Sequence, residues 1–108
     1  TNKDAAQAEI IIVTAGAKQK PGDTRLDLID RNFKVLKTIL GEMKPIREDA
    51  ILLLVANPVD VLTSAAMRMS GLGPGQVLGS GTLLDSVRLT RLLASKLKVS
   101  AFISSLTH

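Results

Sequence analysis

The chain has 108 residues, enough for one small domain, and 45% of them are hydrophobic although only 2% are aromatic. That composition excludes a disordered chain and requires a core of aliphatic side chains. With no cysteine, a disulfide framework and a thiolate metal site are excluded, which suits a cytoplasmic protein. The single histidine is the last residue, His108, and we expect no metal site.

The formal net charge of +4 is spread along the chain, and no aromatic residues lie between the cations. Charge alone leaves nucleic-acid binding open, but we expect no nucleic-acid partner. The longest apolar runs, "AILLLVA" and "IIIV", fall far short of the roughly 20 residues that span a membrane. The N-terminal stretch "TNKDAAQAE" is polar and acidic, unlike a signal peptide. We therefore expect no membrane partner.

The first predicted strand lies in "AEIIIVTAGA", a continuous apolar run typical of a strand buried on both faces of a parallel sheet. A polar loop follows, and Asp23 or Thr24 is a suitable N-cap for a helix. Apolar residues then recur every three or four positions from Leu26 to Leu40. Gly41 suits the position just past the end of this helix.

The second predicted strand is "AILLLVA", which ends at Asn57-Pro58. Asn57 can cap the next helix, Pro58 fits its first turn, and Asp60 places a carboxylate near the positive end of the helix dipole. "SGLGPG" ends that helix. A short third strand is predicted in "QVLGSG", followed by a last helix over residues 82–98.

The predicted order is β-α-β-α-β-α, with crossovers long enough for parallel strands and right-handed connections. This is half of a doubly wound α/β sheet, formed by residues 1–108 as a single unit. In such sheets, ligands bind beyond the carboxyl ends of the strands. The polar segments "TAGAKQKPGDTR", "NPVD" and "GSGTLLDSVR" follow the three strands, and we expect them to form one site.

The same segments, "TAGAKQKPGDTRLDL", "ANPVDVLT" and "GSGTLLDSVR", resemble the middle of NAD-dependent L-lactate dehydrogenases, in the same order and at similar separations. The resemblance covers residues 8–99. It implies a Rossmann-type fold of which this chain is the second mononucleotide-binding half, plus the start of a substrate-side helix. It also implies NAD as cofactor, a small 2-keto or 2-hydroxy acid as substrate, a homo-oligomer and a place in cytoplasmic glycolysis.

The resemblance assigns substrate roles to Gln19, Arg25, Asn57 and Arg88. Arg25 would close over the substrate carbonyl and stabilise the oxygen that becomes negative during reduction. Arg88 would hold the substrate carboxylate in a two-bond fork, which a lysine could not replace. Asp85, three residues earlier, matches an aspartate that orients a catalytic histidine. The alternative interpretations are a solvated arginine for Arg25 and Arg88, a helix-terminal acid for Asp85 and an N-cap for Asn57.

Gln19 matches the position that distinguishes pyruvate from oxaloacetate. A carboxylate that enters a closed pocket there needs a cation, because an unpaired buried charge is costly. Gln19 carries no charge and therefore favours pyruvate over oxaloacetate. Malate dehydrogenases, which have arginine at this place, remain an alternative.

The resemblance also predicts the residues on the cofactor side and a cis peptide bond at Asn57-Pro58. The predicted cofactor-binding residues are Gly16, Ala17, Thr38, Val55, Asn57 and Ser80.

The sequence departs from the family pattern in three places. It has neither the glycine-rich pyrophosphate turn nor the catalytic histidine in its usual context, and we interpret His108 as a terminal residue. We therefore expect the isolated chain to be nearly inactive. Thr90 stands where relatives activated by fructose bisphosphate carry arginine, so we do not expect that regulation.

A second hypothesis is a non-catalytic half-Rossmann module. The strand at residues 10–13 would then leave an apolar edge bare, through which the chain self-associates or binds a partner. A third is nucleic-acid binding through the basic loop, which would show a steep dependence of affinity on salt.

Overall fold

The computed structural model describes residues 1–101; the position predicted for His108 lies outside them. Three strands form one parallel sheet in the order β1-β2-β3. The strands are β1 (Ile10–Val13), β2 (Ile51–Leu54) and β3 (Val77–Gly79), and the helices are α1 (Asn2–Ala5), α2 (Arg25–Glu42), α3 (Val59–Ser70) and α4 (Leu83–Leu97). The predicted α/β class and the parallel arrangement of the three strands are confirmed.

The carboxyl ends of the strands are held level by the hydrogen bonds that continue the sheet beyond them. The Val55 N–H donates to the Val13 carbonyl at 3.0 Å, and the Ser80 N–H donates to the Leu54 carbonyl at 2.9 Å. The three loops that follow the strands therefore leave the sheet side by side.

The core lies on one face of the sheet, where α2 and α3 pack against the strands and each other. Alternate residues of each strand point to this face, as the two-residue period of a strand requires. The largest fully buried side chains are Leu40, Met43, Leu52, Leu54 and Leu62.

The opposite face of the sheet is uncovered by any described residue. Ile10 is 63% exposed and Ile12 is 58% exposed, and Leu78 on β3 is also exposed. The prediction that the first strand is buried on both faces was therefore wrong for this chain. A continuous apolar run shows that both faces of a strand are apolar. It does not show that another element packs against each face.

Helix α2 begins as predicted, with Thr24 as N-cap. The Thr24 hydroxyl accepts the Asp27 N–H at 3.2 Å, and the Asp27 carboxylate accepts the Thr24 N–H at 2.9 Å. This reciprocal pair is a capping box. The predicted end at Gly41 was wrong, because the helix continues through it to Glu42 and is capped by Met43.

Helix α3 has Pro58 rather than Asn57 at its N-cap, so the capping prediction for Asn57 was wrong. The Asn57-Pro58 peptide bond is cis, as is that between Lys44 and Pro45. At the other end, Gly71 adopts the left-handed conformation (φ 75°) that ends the helix.

The first helix packs against α2 and places Ala5 against the core, whereas the last helix lies outside the main packing. The short α1 was not predicted; it is closed by a capping box between Thr1 and Asp4. Helix α4 matches its predicted span within a residue at each end, but Ala94 is its only buried residue. The molecule measures 48 × 40 × 24 Å. It is elongated because α4 extends beyond the part in which the sheet packs against α2 and α3.

Candidate functional site

The loop after β1 has no regular structure, yet side chains of α2 and of the loop itself hold it in place. Arg31 forms an ion pair with Asp23 and donates to the Lys18 carbonyl at 3.5 Å. The Asp23 carboxylate also accepts the Lys20 N–H at 2.6 Å. That backbone hydrogen bond and, next, the Arg31 guanidinium lower the pKa of Asp23. The loop that carries Gln19 is thereby anchored on both sides of that residue.

A single buried side chain, Asn32, joins the loops after β1 and β2. Its Oδ1 accepts the Ala17 N–H at 2.5 Å, and its Nδ2 donates to the Asn57 carbonyl at 2.6 Å. Asn32 is 3% exposed and lies on α2. Asn32 was not among the predicted site residues, although an amide one turn before Leu36 interrupts the apolar stripe of the helix. Such a buried amide needs hydrogen-bond partners.

A cavity of about 850 Å³ opens at the carboxyl edge of the sheet, between the loop after β1 and the start of α3. It brings together three of the predicted substrate residues, Gln19, Arg25 and Asn57. The rest of its wall consists of Leu28, Ile29, Pro58, Val59, Asp60 and Val61.

The wall of this cavity combines one guanidinium, two amides and a largely apolar surface. A guanidinium and an amide can stabilise a carbonyl oxygen on which negative charge develops. The apolar side chains can receive a small alkyl group without any unpaired charge. The carboxylate of Asp60, which the sequence analysis placed only at the helix dipole, also lies on the wall and disfavours a second negative group in the ligand.

Two predicted site residues, Asp85 and Arg88, are not on the wall of this cavity. Both are exposed side chains of α4, and that helix packs weakly against the other described elements. The expectation that all three polar segments form one site is therefore met by two of them. The roles of Asp85 and Arg88 stay predictions.

The predicted cofactor residues fall into two groups. Gly16, Ala17, Val55 and Ser80 lie just beyond the ends of neighbouring strands. Thr38 is instead on α2, about 20 Å along the helix from Arg25, where its hydroxyl donates to the Lys34 carbonyl at 3.0 Å. The structure does not bring Thr38 to the edge where the other four residues lie.

The residues at this edge fit a nicotinamide cofactor. Gly16 lets the loop after β1 approach β2, because a Cβ there would lie 3.3 Å from that of Ala56. Val55 is 40% exposed and presents an apolar surface, and the exposed Asn57 carries an amide that can bond a carboxamide. A flat aromatic amide needs this combination of an apolar face and a hydrogen-bonding edge.

Two further features were sought within residues 1–101, a metal site and a membrane-spanning helix. No group of three or more His, Cys, Asp or Glu side chains within that span is arranged to hold a metal ion. None of its helices is both long and apolar enough to cross a membrane.

A parallel α/β sheet with a cavity at its carboxyl edge is the architecture of Rossmann-type proteins, which bind nucleotides at this edge. Comparison with known proteins makes this specific: residues 1–79 match the NAD binding domain of the lactate/malate dehydrogenases. The chain belongs to the lactate/malate dehydrogenase family.

Among its relatives, the L-lactate dehydrogenase A of Rhizopus oryzae is 59% identical over 87 residues, which cover 81% of this chain and 27% of that protein. An L-lactate dehydrogenase of a Synechococcus strain is 50% identical over 96 residues, or 89% of this chain and 31% of that protein. The crystal structure of a minor L-lactate dehydrogenase from Enterococcus mundtii superposes with a TM-score of 0.83 at 40% identity and covers 94% of this chain and 32% of its own. The chain thus spans less than a third of the length of these relatives.

Proposed function

We propose that this chain is the second mononucleotide-binding half of an NAD-dependent L-lactate dehydrogenase, with α4 as the start of the substrate side. The reaction is reversible hydride transfer between NADH and pyruvate to give L-lactate. The observation that carries the proposal is the convergence of Gln19, Arg25 and Asn57 on one cavity beside the cofactor edge. The resemblance to the L-lactate dehydrogenase family is the ground on which we also propose a homo-oligomer and a cytoplasmic location.

Gln19, Arg25 and Asn57 each have a role in this reaction. When bound, NADH supplies the hydride that attacks the carbonyl carbon. The Arg25 guanidinium and the Asn57 amide donate to the carbonyl oxygen as it becomes negative, and this lowers the barrier. Gln19 and the apolar wall face the methyl group and leave a second carboxylate without a cation.

Three further roles rest on the resemblance. Arg88 would hold the substrate carboxylate, since a guanidinium matches that group with two parallel hydrogen bonds. Asp85 would orient and stabilise a histidine that moves the proton. Thr38 would contact the cofactor from the side of α2.

The proposal is tested by titrating the chain with NADH and then with oxamate, a pyruvate mimic, in a calorimeter. We expect oxamate to bind in the presence of NADH. The Arg25→Ala and Arg88→Ala substitutions should each lower the affinity for oxamate at least about tenfold. Arg91→Ala, an exposed arginine on the same helix as Arg88, is the matched control and should bind oxamate normally. Absence of heat from the unsubstituted chain at millimolar ligand would refute the assignment of a ligand-binding site to this chain and favour a non-catalytic module.

A second candidate function is favoured by the exposed sheet face. Ile10 and Ile12 on β1 and Leu78 on β3 are exposed on the uncovered face of the sheet, and β1 is also an open edge strand. A non-catalytic module that self-associates through this surface would need none of the cavity residues.

A further inference from the structure

We propose that Asn32 is a positioning residue that couples the cofactor side of the site to the substrate side. This inference rests on the proposed function and deepens it. Asn32 is not part of the cavity wall and would touch neither ligand, so it acts through the backbone of Ala17 and Asn57.

The geometry of the Asn32 side chain connects two loops that follow different strands. Its carbonyl oxygen binds the Ala17 N–H, beside the predicted cofactor position Gly16. Its amino group binds the carbonyl of Asn57, whose side chain faces the cavity. One planar amide therefore fixes the distance between the two loops.

The Asn32 amide has little room to move, because the side chain is almost fully buried. A Cβ added at Gly16 would lie 3.5 Å from Asn32 Oδ1. If the Asn32 side chain were lost, the Ala17 N–H and the Asn57 carbonyl could form hydrogen bonds with water only after this packing had opened. A ligand that orders the Ala17 loop therefore also orders Asn57, and the reverse holds.

Two sites joined in this way should bind their ligands cooperatively, and linkage makes the effect reciprocal. NADH is expected to increase the affinity for oxamate, and oxamate the affinity for NADH, by the same factor. Without the Asn32 bridge, this factor should fall about tenfold, within the range usual for coupled sites.

The first measurement is amide hydrogen exchange in the unliganded chain. The Ala17 N–H should be protected in the unsubstituted chain and in Asn32→Asp, which keeps the acceptor, and it should lose protection in Asn32→Ala. The Ser70→Ala variant is the matched control, since Ser70 is the other buried polar residue of the described chain and lies at the far end of α3. It should leave the exchange of Ala17 unchanged.

The second measurement is the coupling factor between NADH and oxamate in the same variants. Asn32→Asp cannot donate to the Asn57 carbonyl while the introduced carboxyl is ionised, but it can when protonated. Its coupling should therefore recover as the pH falls, whereas a general loss of structure would not recover. Ser70→Ala should keep the coupling of the unsubstituted chain at every pH.

The outcomes separate this inference from the proposed function. Normal coupling in both Asn32 variants, or a Ala17 N–H that exchanges freely in the unsubstituted chain, overturns the role of Asn32 and leaves the proposed function standing. Absence of NADH and oxamate binding by the unsubstituted chain overturns both, and in that case protection of Ala17 identifies a purely structural bridge. Loss of coupling with recovery at low pH supports the inference.

Discussion

Gln19 lies on the cavity wall, and its amide donates to the Asp23 carbonyl at 3.4 Å. It offers no charge to a second carboxylate of a ligand. We predict that Gln19→Arg shifts the preference between hydroxymalonate, a dicarboxylate, and oxamate by about tenfold toward the dicarboxylate, the low end for hydrogen bonds to charged groups. The low end is expected because Asp60 on the same wall competes for the new guanidinium.

The measurement is the ratio of the two dissociation constants in the presence of NADH. Gln7→Arg adds the same charge before β1, at the opposite edge of the sheet, and should leave the ratio unchanged. An equal gain of affinity in both variants would show that net charge, and not the position of Gln19, selects the ligand.

At the level of single residues, motifs in the sequence led to the polar wall of the cavity but not to its supports. The segments that carry Gln19, Arg25 and Asn57 could be predicted because they follow strands, where parallel sheets bind ligands, and the resemblance then selected these residues. Asn32 could not, because its role depends on two loops that meet only in the fold. The predicted place of Arg88 also needed the packing of α4, which no local pattern reports.

Helix α2 continues past Gly41, where the sequence predicted its end. This glycine has no neighbouring atom within 4 Å of an added Cβ and no positive φ, so alanine fits without strain. We predict that Gly41→Ala stabilises the chain by about 0.5 kcal/mol through helix propensity, or about 3 °C in Tm. A destabilised variant would instead support the left-handed cap that the sequence predicted.

Gly79 at the end of β3 is the contrasting glycine. A Cβ there would lie 2.5 Å from Thr63 Oγ1 and 3.1 Å from Val59 Cγ2, both on α3. We predict that Gly79→Ala destabilises the chain by about 1 to 3 kcal/mol, the usual range for overpacking. Thermal unfolding measures both glycine variants against the unsubstituted chain. If β3 contacts α3 as described, Tm should rise in Gly41→Ala and fall in Gly79→Ala.

The capping box of α2 makes stability depend on pH. The hydrogen bond from the Thr24 hydroxyl, followed by that from its N–H, lowers the pKa of Asp27 below 3.8. Because the folded pKa is the lower one, the stabilisation is present above the unfolded pKa and is lost as the pH falls through the folded value. Asp27→Asn should therefore reduce the decrease of Tm between about pH 6 and about pH 2. Asp30→Asn, on the same helix but outside the capping box, should have a smaller effect on this decrease.

The elements themselves were largely predictable because their signals are local. Thr24 and Gly71 mark helix ends through their own backbone and side-chain chemistry. The errors at Gly41 and Asn57 concern single terminal positions, where helix continuation competes with capping. The short α1 was missed because four residues carry too little periodicity to stand out.

The whole molecule is more extended than a packed domain of its length. Its radius of gyration is 16.8 Å, whereas about 13 Å is usual near 100 residues. Helix α4 packs weakly against the other described elements, and the sheet face that bears Ile10 and Ile12 is uncovered. Composition could not reveal this, since it counts apolar residues without showing which of them find a partner.

We predict that this face makes the chain self-associate. An open edge strand with exposed apolar side chains is a template for pairing, and natural edges often carry lysine to prevent it. Ile12→Lys should weaken self-association at least about tenfold, because it removes a side chain whose burial contributes about 1.5 to 3 kcal/mol.

Met67→Lys adds the same charge at an exposed position of α3, away from the sheet face, and should not change self-association. Sedimentation velocity over a concentration series measures both effects, and a clean 11.5 kDa monomer at the highest concentration would contradict the prediction. Because the cavity is lined by other residues, Ile12→Lys should retain oxamate binding, so that association and ligand recognition can be measured separately on one molecule.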